Sequence, residues 1–300
     1  MFCKCGKQAV YFRQNEGSYL CKSHFIKSFE KRVKRTIRQH KFLEPGDKIA
    51  IGLSGGKDSS TILYLLHKIV KPRKDIELFA ITVDEGIKEY RKQSLEIASK
   101  LCNKLGIKQH ISSYKEQFGK TLDEKLKVSK QFNACTYCGV ARRSSLNRVA
   151  RELGANKLAL GHNLDDEAQS ILMNYMRGDL LRLTRLDPDI QPLGNFIKRV
   201  KPLREIPEKE VGLYAFLKGL DIQEDECPNM GGLRFEIRDF LNKAEEENPG
   251  IKTNILQTFD KLVPILKKDI KHGGELFECK ICGEPSSERI CKTCQLWKEI

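Results

Sequence analysis

Lys48-Ile49-Ala50-Ile51-Gly52-Leu53-Ser54-Gly55-Gly56-Lys57-Asp58-Ser59-Ser60 runs from an apolar, β-rich stretch through two adjacent glycines into a helical pattern with Ile62, Leu65, Leu66, Ile69 and Val70 on one face. Strand, glycine turn and helix N-terminus in that order build an anion site. The glycines let backbone N–H groups converge, Lys57 adds a cation, Ser54 and Ser59 add hydroxyl donors, and the helix dipole favours negative charge at its start. Phosphate binding is the natural use of such a loop. A Walker A loop has a longer gap between its glycines and Ser or Thr after its lysine. Here three residues separate Gly52 from Gly56, and Asp58 follows Lys57.

Outward from this loop, the β-rich run 48–53 is joined by others at 77–83, 107–112 and 157–161, with helical patterns between them. One helix shows Leu95, Ala98, Cys102 and Leu105 on a face, a second Leu146, Val149, Ala150 and Leu153, a third Ala168, Ile171, Leu172, Tyr175 and Met176. This alternation predicts an α/β fold, a parallel sheet flanked by helices. Ligands of open α/β sheets bind at the carboxyl ends of the strands. Two further segments are expected at that edge. Ile81-Thr82-Val83-Asp84-Glu85-Gly86 offers Ile81 and Val83 to an adenine ring. Gly161-His162-Asn163-Leu164-Asp165-Asp166-Glu167 brings three acids to a helix start, where capping is one reading and the positioning of Mg²⁺, nucleotide or a reacting oxygen by Asp165 or Asp166 is the other.

The 300-residue chain has 54 Lys and Arg against 40 Asp and Glu, a formal net charge of +14. Such an excess fits a polyanionic partner or an ordinary solvated basic surface. Its apolar runs are far shorter than the roughly 18 residues that cross a bilayer, and Met1-Phe2-Cys3-Lys4-Cys5 is no secretory signal. A cytoplasmic protein with no membrane partner is expected.

Most of the 11 cysteines lie in CxC or CxxC pairs, which in a reducing compartment points to metal binding rather than disulfides. Cys279-x-x-Cys282 and Cys291-x-x-Cys294 form a zinc-ribbon pattern. Near the other end, Cys3, Cys5, Cys21 and His24 supply three sulfurs and a nitrogen for a second Zn²⁺, although the Cys3-x-Cys5 spacing is shorter than the usual knuckle. The third set has only three members, Cys135, Cys138 and Cys227, because Cys102 falls on an apolar helix stripe and reads as a core thiol. An iron–sulfur cluster held by three cysteines leaves one iron open; the alternative is a dithiol passing a persulfide sulfur.

Ser54-Gly55-Gly56-Lys57-Asp58-Ser59 resembles the PP-loop of ATP pyrophosphatases, with their adenine nucleotide alpha-hydrolase-like fold. With Cys135-Thr136-Tyr137-Cys138-Gly139, the 161–167 loop, Cys227-Pro228, the N-terminal Cys/His knuckle and the terminal ribbon, nearly the whole chain resembles the TtcA/TtuA group of tRNA 2-thiolation enzymes. That resemblance implies a tRNA sulfurtransferase: AMP is attached to the O2 of a uridine, pyrophosphate leaves, and sulfur displaces AMP at C2. It further implies a 4Fe-4S cluster on Cys135, Cys138 and Cys227, and ATP with Mg²⁺ on Ser54, Gly55, Gly56, Lys57, Asp58, Ser59, Ile81, Val83, Gly161 and Arg142. Asp58, Asp165 and Asp166 are the expected catalytic acids, tRNA and a sulfur donor (sulfide or a ubiquitin-like sulfur carrier) the partners, and a homodimer the assembly. Arg143, Arg177, Arg182, Arg185, Lys198, Arg199 and Lys201 extend the expected cationic surface.

The expected domains are an N-terminal zinc finger (1–25), a basic helix linker (26–46), the PP-loop catalytic domain (47–225), a helical segment (226–273) and a C-terminal zinc ribbon (274–300). The 172–183 stretch and the 135–143 stretch resemble the branch acting on the wobble uridine; Cys21-x-x-His24 resembles the T-loop branch, which remains the alternative. A lysidine-forming ligase would use the same adenylation with an amine nucleophile and would not require the three cysteines. A non-enzymatic zinc-finger RNA-binding protein would require neither loop nor ATP.

Overall fold

The computed structural model describes residues 1–129, 131–192, 194–270 and 277–298. The chain opens with a hairpin, β1 (Tyr11–Arg13) and β2 (Ser18–Leu20), and helix α1 (Lys22–Gln39). Then follow β3 (Lys48–Gly52), α2 (Lys57–Val70), β4 (Glu77–Asp84), α3 (Arg91–Leu105) and β5 (Lys108–Ser113). Short helices α4 (Tyr114–Phe118) and α5 (Leu122–Val128) lead to α6 (Ala134–Glu152), β6 (Lys157–Ala159), α7 (Leu164–Met176), α8 (Leu180–Thr184), β7 (Lys198–Val200) and α9 (Glu208–Lys218). The chain continues through α10 (Leu233–Glu247), α11 (Ile251–Asp269), a hairpin of β8 (Phe277–Glu278) and β9 (Pro285–Ser286), and α12 (Lys292–Trp297).

The central sheet is parallel throughout, in the order β5-β4-β3-β6-β7. Alternate residues of its strands serve two cores, as the period of two requires. Ile49, Ile51 and Ala80 pack on one face with residues of α1, α2, α3 and α9. Ala50, Phe79, Ile81 and Val83 pack on the other with Tyr114, residues of α6, and Trp297. The chain moves from β3 outward through β4 and β5, then returns to β6 on the opposite side of β3. The loops after β3 and β6 therefore flank the switch point, where the sheet splays a crevice for a ligand.

The four expected strands form, and a fifth, β7, joins them. Lys198 and Arg199, read as cationic surface, belong to this edge strand paired with β6. Three residues with two cations give no apolar alternation, and charge is what an edge strand carries. The stripe on α7 is also shorter than its spacing indicates. Ala168 and Ile171 are buried under α10 and α11, whereas Tyr175 and Met176 are 72% and 60% exposed, because those helices cover only the first turns of α7. The residue 274 at which the C-terminal ribbon is expected to begin lies outside the described residues.

Helix α1 is more than a basic connector: Phe25, Phe29, Val33 and Ile37 bury its apolar face in the main core. The N-terminal hairpin is tied down beside it. Arg13 donates to both carboxylate oxygens of buried Glu210 at 3.0 and 2.9 Å, and Arg32 joins at 2.9 and 3.0 Å. Removing one partner of a buried pair leaves an uncompensated charge, so Glu210→Ala is expected to cost about 3–5 kcal/mol. Denaturant unfolding checks this; an unchanged midpoint would show that the pair contributes nothing.

Candidate active site

Leu53 ends β3 by donating its N–H to Ile81 O at 2.9 Å, and the loop that follows is organised by serines. Ser59 Oγ accepts from Ser54 N at 3.1 Å, donates to Gly56 O at 3.1 Å and lies 3.0 Å from Ser54 Oγ. Gly55 has φ +87°, and a Cβ there would sit 2.4 Å from Ser94 O. Only glycine takes that conformation against that neighbour. Gly56 caps α2 without a side-chain hydrogen bond, so the helix start presents backbone N–H groups to an anion. Lys57 Nζ lies 2.6 Å from Glu208 and 3.2 Å from Asp58. Burial works against its charge, but these two carboxylates hold its pKa above the ordinary lysine value. Burial raises the pKa of Asp58, against Lys57 and the amide of Asn163, which donates to it at 3.0 Å.

The loop after β6 presses onto the start of α2. A Cβ on Gly161 would lie 2.8 Å from the carbonyl carbon of Asp58 and 2.9 Å from Ser59 N. Asn163 and Asp166 form a capping box on α7 at 3.1 Å in each direction, and Asp166 Oδ1 accepts from Arg234 at 2.8 Å. Asp166 thus caps α7 with one oxygen while the other pairs with Arg234. Asp165 is buried, with one oxygen on Glu208 N at 2.7 Å and the other on Lys252 Nζ. It fixes the start of α9, and with it the Glu208 carboxylate that meets Lys57. Ile81 and Val83 are fully packed in the core, so the expected adenine wall is not built from their side chains. A parallel sheet buried on both faces turns such residues inward.

Cys135 and Cys138 occupy the first turns of α6, capped by Asn133, whose side chain accepts from Thr136 N at 2.9 Å. The segment carrying Cys227 lies against this helix start, with Asn229 O 3.6 Å from Cys135 Sγ. The same segment touches the phosphate loop: Gln223 N donates to Gly55 O at 3.0 Å. Four residues on, Cys227 is within roughly 14 Å of Gln223 by chain length alone. Burial raises the pKa of Cys138 and of Cys227; Glu85 acts in the same direction on both, and Arg142 against it. Cys135 is exposed, Cys138 and Cys227 half-buried. The three sulfurs do not all come within 4.8 Å of one another, too open for a single tetrahedral ion, and it is a larger iron–sulfur cluster that their spacing admits. Cys102 is elsewhere, buried in the core, where burial pushes its thiol up to about 11.

The two terminal sets each bring four ligand atoms within 4.8 Å of one another. Cys3 Sγ is 3.1 Å from His24 Nδ1, Cys5 Sγ is 3.7 Å from Cys21 Sγ, and Cys282 Sγ is 3.5 Å from Cys291 Sγ. Two sulfurs about 2.3 Å from a tetrahedral metal lie roughly 3.8 Å apart, so both sets fit such an ion. The short Cys3-x-Cys5 spacing is accommodated by a turn at Gly6, φ +79°, whose N–H donates to Cys3 O at 2.8 Å.

Several partners had no local signal. Glu208, Arg234 and Lys252 reach Lys57, Asp166 and Asp165 from far along the chain, and Arg91 joins Glu85 (2.6 Å) to Ser54 O (2.9 Å). Asn163 was readable, as the first residue of an N-x-x-D capping box. His162 stands beside it, held neutral by burial and Lys201, which lower its pKa to about 3.

The PP-loop domain family matches residues 25–244. Over 99% of this chain and 98% of its own length, the tRNA 2-thiolation protein NcsA of Haloferax volcanii is 40% identical. The tRNA-5-methyluridine(54) 2-sulfurtransferase of Pyrococcus horikoshii is 37% identical over 100% of this chain and 96% of its own. The cytoplasmic tRNA 2-thiolation protein 1 of Xenopus laevis is 37% identical over 96% and 84%. Among solved structures, the U34-tRNA thiolase NcsA of Methanococcus maripaludis with its [4Fe-4S] cluster matches with TM-score 0.86 and 39% identity, covering 100% of this chain and 96% of that one. The chain belongs to the PP-loop family of tRNA 2-thiolation proteins.

Proposed function

We propose that this protein is a cytoplasmic tRNA 2-sulfurtransferase that adenylates the O2 of the wobble uridine and replaces it with sulfur. The observation that carries this reading is the Gln223–Gly55 hydrogen bond, which ties the phosphate loop to the segment bearing Cys227 and so joins nucleotide chemistry to the thiol set. Backbone N–H groups at Gly55, Gly56 and Lys57, with Ser54 and Ser59, hold the departing pyrophosphate of Mg-ATP and stabilise charge developing there. Asp58 and Asp166 position nucleotide and base. Arg142 neutralises AMP or tRNA phosphate, and Asp165 acts through Glu208 on Lys57. Cys135, Cys138 and Cys227 hold the 4Fe-4S cluster, which supplies an iron with an open position for the sulfur atom. Cys3, Cys5, Cys21 and His24, and Cys279, Cys282, Cys291 and Cys294, hold structural Zn²⁺. The sulfur comes from sulfide or a ubiquitin-like carrier, and the assembly is a homodimer.

Incubation with Mg-ATP, sulfide and unmodified tRNA is expected to yield AMP and pyrophosphate, with 2-thiouridine mapped by nucleoside mass spectrometry to the wobble position. Thiolation confined to the T-loop would overturn the position and leave the chemistry intact; release of ADP and phosphate would overturn the adenylation step.

Lys27, Lys31, Lys34 and Arg38 on α1, with Lys41 just beyond its end, form an exposed stripe above a groove floored by Ile26, Ile37, Leu43 and Ile69. Folded tRNA is expected to bind with a steep salt dependence. Neutralising all five residues should flatten the slope of log K against log salt by about 4. Equal binding of a short unstructured RNA, or a flat salt dependence, counts against this.

A further inference from the structure

The end of α6 that carries Cys135 and Cys138 is gripped from outside by the C-terminal ribbon. Trp297 is buried, its Nε1 donates to Tyr137 O at 3.2 Å, and its ring packs edge-on against Tyr114, with centroids 5.0 Å apart, and at a tilt against Phe118, at 5.1 Å. Tyr114 in turn donates its hydroxyl to Cys138 O at 2.8 Å and lies 3.6 Å from Cys138 Sγ. A helix carbonyl has a second lone pair, and here two consecutive carbonyls are offered a donor from another element.

A second grip lies farther along the same helix. Buried Glu284 accepts from Asn147 at 3.3 Å, from Arg148 at 3.4 Å and from Arg151 at 3.1 Å. From Tyr137 to Asn147 the two grips are roughly 15 Å apart on the helix axis. Both arise from segments shaped by the four ribbon cysteines. Glu284 O accepts from Cys279 N at 2.9 Å, and Cys291 caps the helix that ends in Trp297. The ribbon's own apolar cluster consists of Cys279, Cys291 and Cys294 with Ile281, Cys282 and Ile290, too small to set its shape without a metal. The N-terminal metal set is anchored elsewhere, on α9 through Arg13 and Glu210.

We propose that the C-terminal ribbon is a metal-dependent clamp on α6, with Trp297 and Tyr114 as positioning residues that hold Cys135 and Cys138 in place for the iron–sulfur cluster. The inference rests on the assignment of Cys135, Cys138 and Cys227 to that cluster. Residues that orient ligands without touching the metal change its retention substantially.

The test uses the full chain, reconstituted anaerobically, with two readouts: iron release to a ferrous chelator, and hydrogen–deuterium exchange of peptides spanning 133–142. Trp297→Ala and Cys291→Ser are expected to speed iron release by at least about tenfold, Trp297→Phe and Tyr114→Phe by less, and Cys21→Ser not at all. Exchange at 133–142 should quicken in the same order. If Trp297→Ala does not fold, Trp297→Phe and Tyr114→Phe, each lacking one donor, decide the matter. Wild-type iron release and exchange in both conservative variants would overturn the clamp, as would equal effects of Cys21→Ser and Cys291→Ser. A wild-type chain that takes up no cluster would instead sink the cluster assignment. The exchange readout still tests the grip in that case, with unaltered exchange in Trp297→Phe and Tyr114→Phe overturning it.

Discussion

Cys135→Ala, Cys138→Ala and Cys227→Ala are each expected to abolish the brown colour of anaerobically purified protein together with tRNA thiolation, whereas Cys102→Ala leaves both unchanged. A three-ligand cluster has no spare protein ligand. Seven cysteines belong to the two terminal sets, which leaves Cys102 as the sole remaining thiol. It is buried among Ala98, Leu101 and other core residues, with its thiol pushed up to about 11, so it cannot move to replace a lost ligand. Absorbance, iron content and 2-thiouridine yield check the expectation. A colourless protein that remains fully active under anaerobic handling would reject the cluster and favour a persulfide carried by Cys135 or Cys138 with Cys227.

Gly161→Ala should produce a large loss of turnover for the addition of a single methyl group. Its Cβ would fall 2.8 Å from Asp58 C, 2.9 Å from Ser59 N and 3.0 Å from Asp58 O, all backbone atoms at the start of α2. Neither side yields cheaply, since Asp58 is bound to Asn163 and Ser59 organises the phosphate loop. Overpacking of this kind costs about 1–3 kcal/mol in stability. The heavier effect falls on catalysis, because displacing the pyrophosphate cradle by an ångström or so costs on the order of 100-fold in rate. Asp58→Asn, which keeps the shape and removes the charge, should lose turnover without the stability loss. Pyrophosphate release in the presence of tRNA and thermal unfolding of the same samples separate the two. A wild-type rate in Gly161→Ala would show that the spacing of the two loops is immaterial to the reaction.

Local structure is legible in this chain wherever a few consecutive residues impose their own geometry. The phosphate loop was legible because Gly55 needs a positive φ and α2 must begin where its apolar stripe begins. Both terminal metal sets were legible because ligand spacing limits what a short knuckle can hold. Strand β7 was not, because Lys198, Arg199 and Val200 carry no alternating pattern and become a strand only through pairing with β6. The exposure of Tyr175 and Met176 was equally hidden, since it depends on how far α10 and α11 extend over α7.

At the site itself, the identities of the chemical groups were contained in the sequence, but their division of labour was not. Asp165 and Asp166 are adjacent and alike in type, yet one is consumed by Lys252 and the start of α9 while the other caps α7 beside Asp58. The order of residues determined the loops, the ligand sets and the alternation that makes a parallel sheet, because these follow from local backbone sterics and side-chain periodicity. Only the tertiary structure decided which carboxylate braces α9 and which caps α7 and pairs with Arg234, that Gln223 ties the segment ahead of Cys227 to the phosphate loop, and that Trp297 reaches the helix of Cys135 and Cys138. Those contacts join residues separated by tens to more than a hundred positions, and a hydrogen bond or ion pair at such separation leaves no periodicity in the chain to be read.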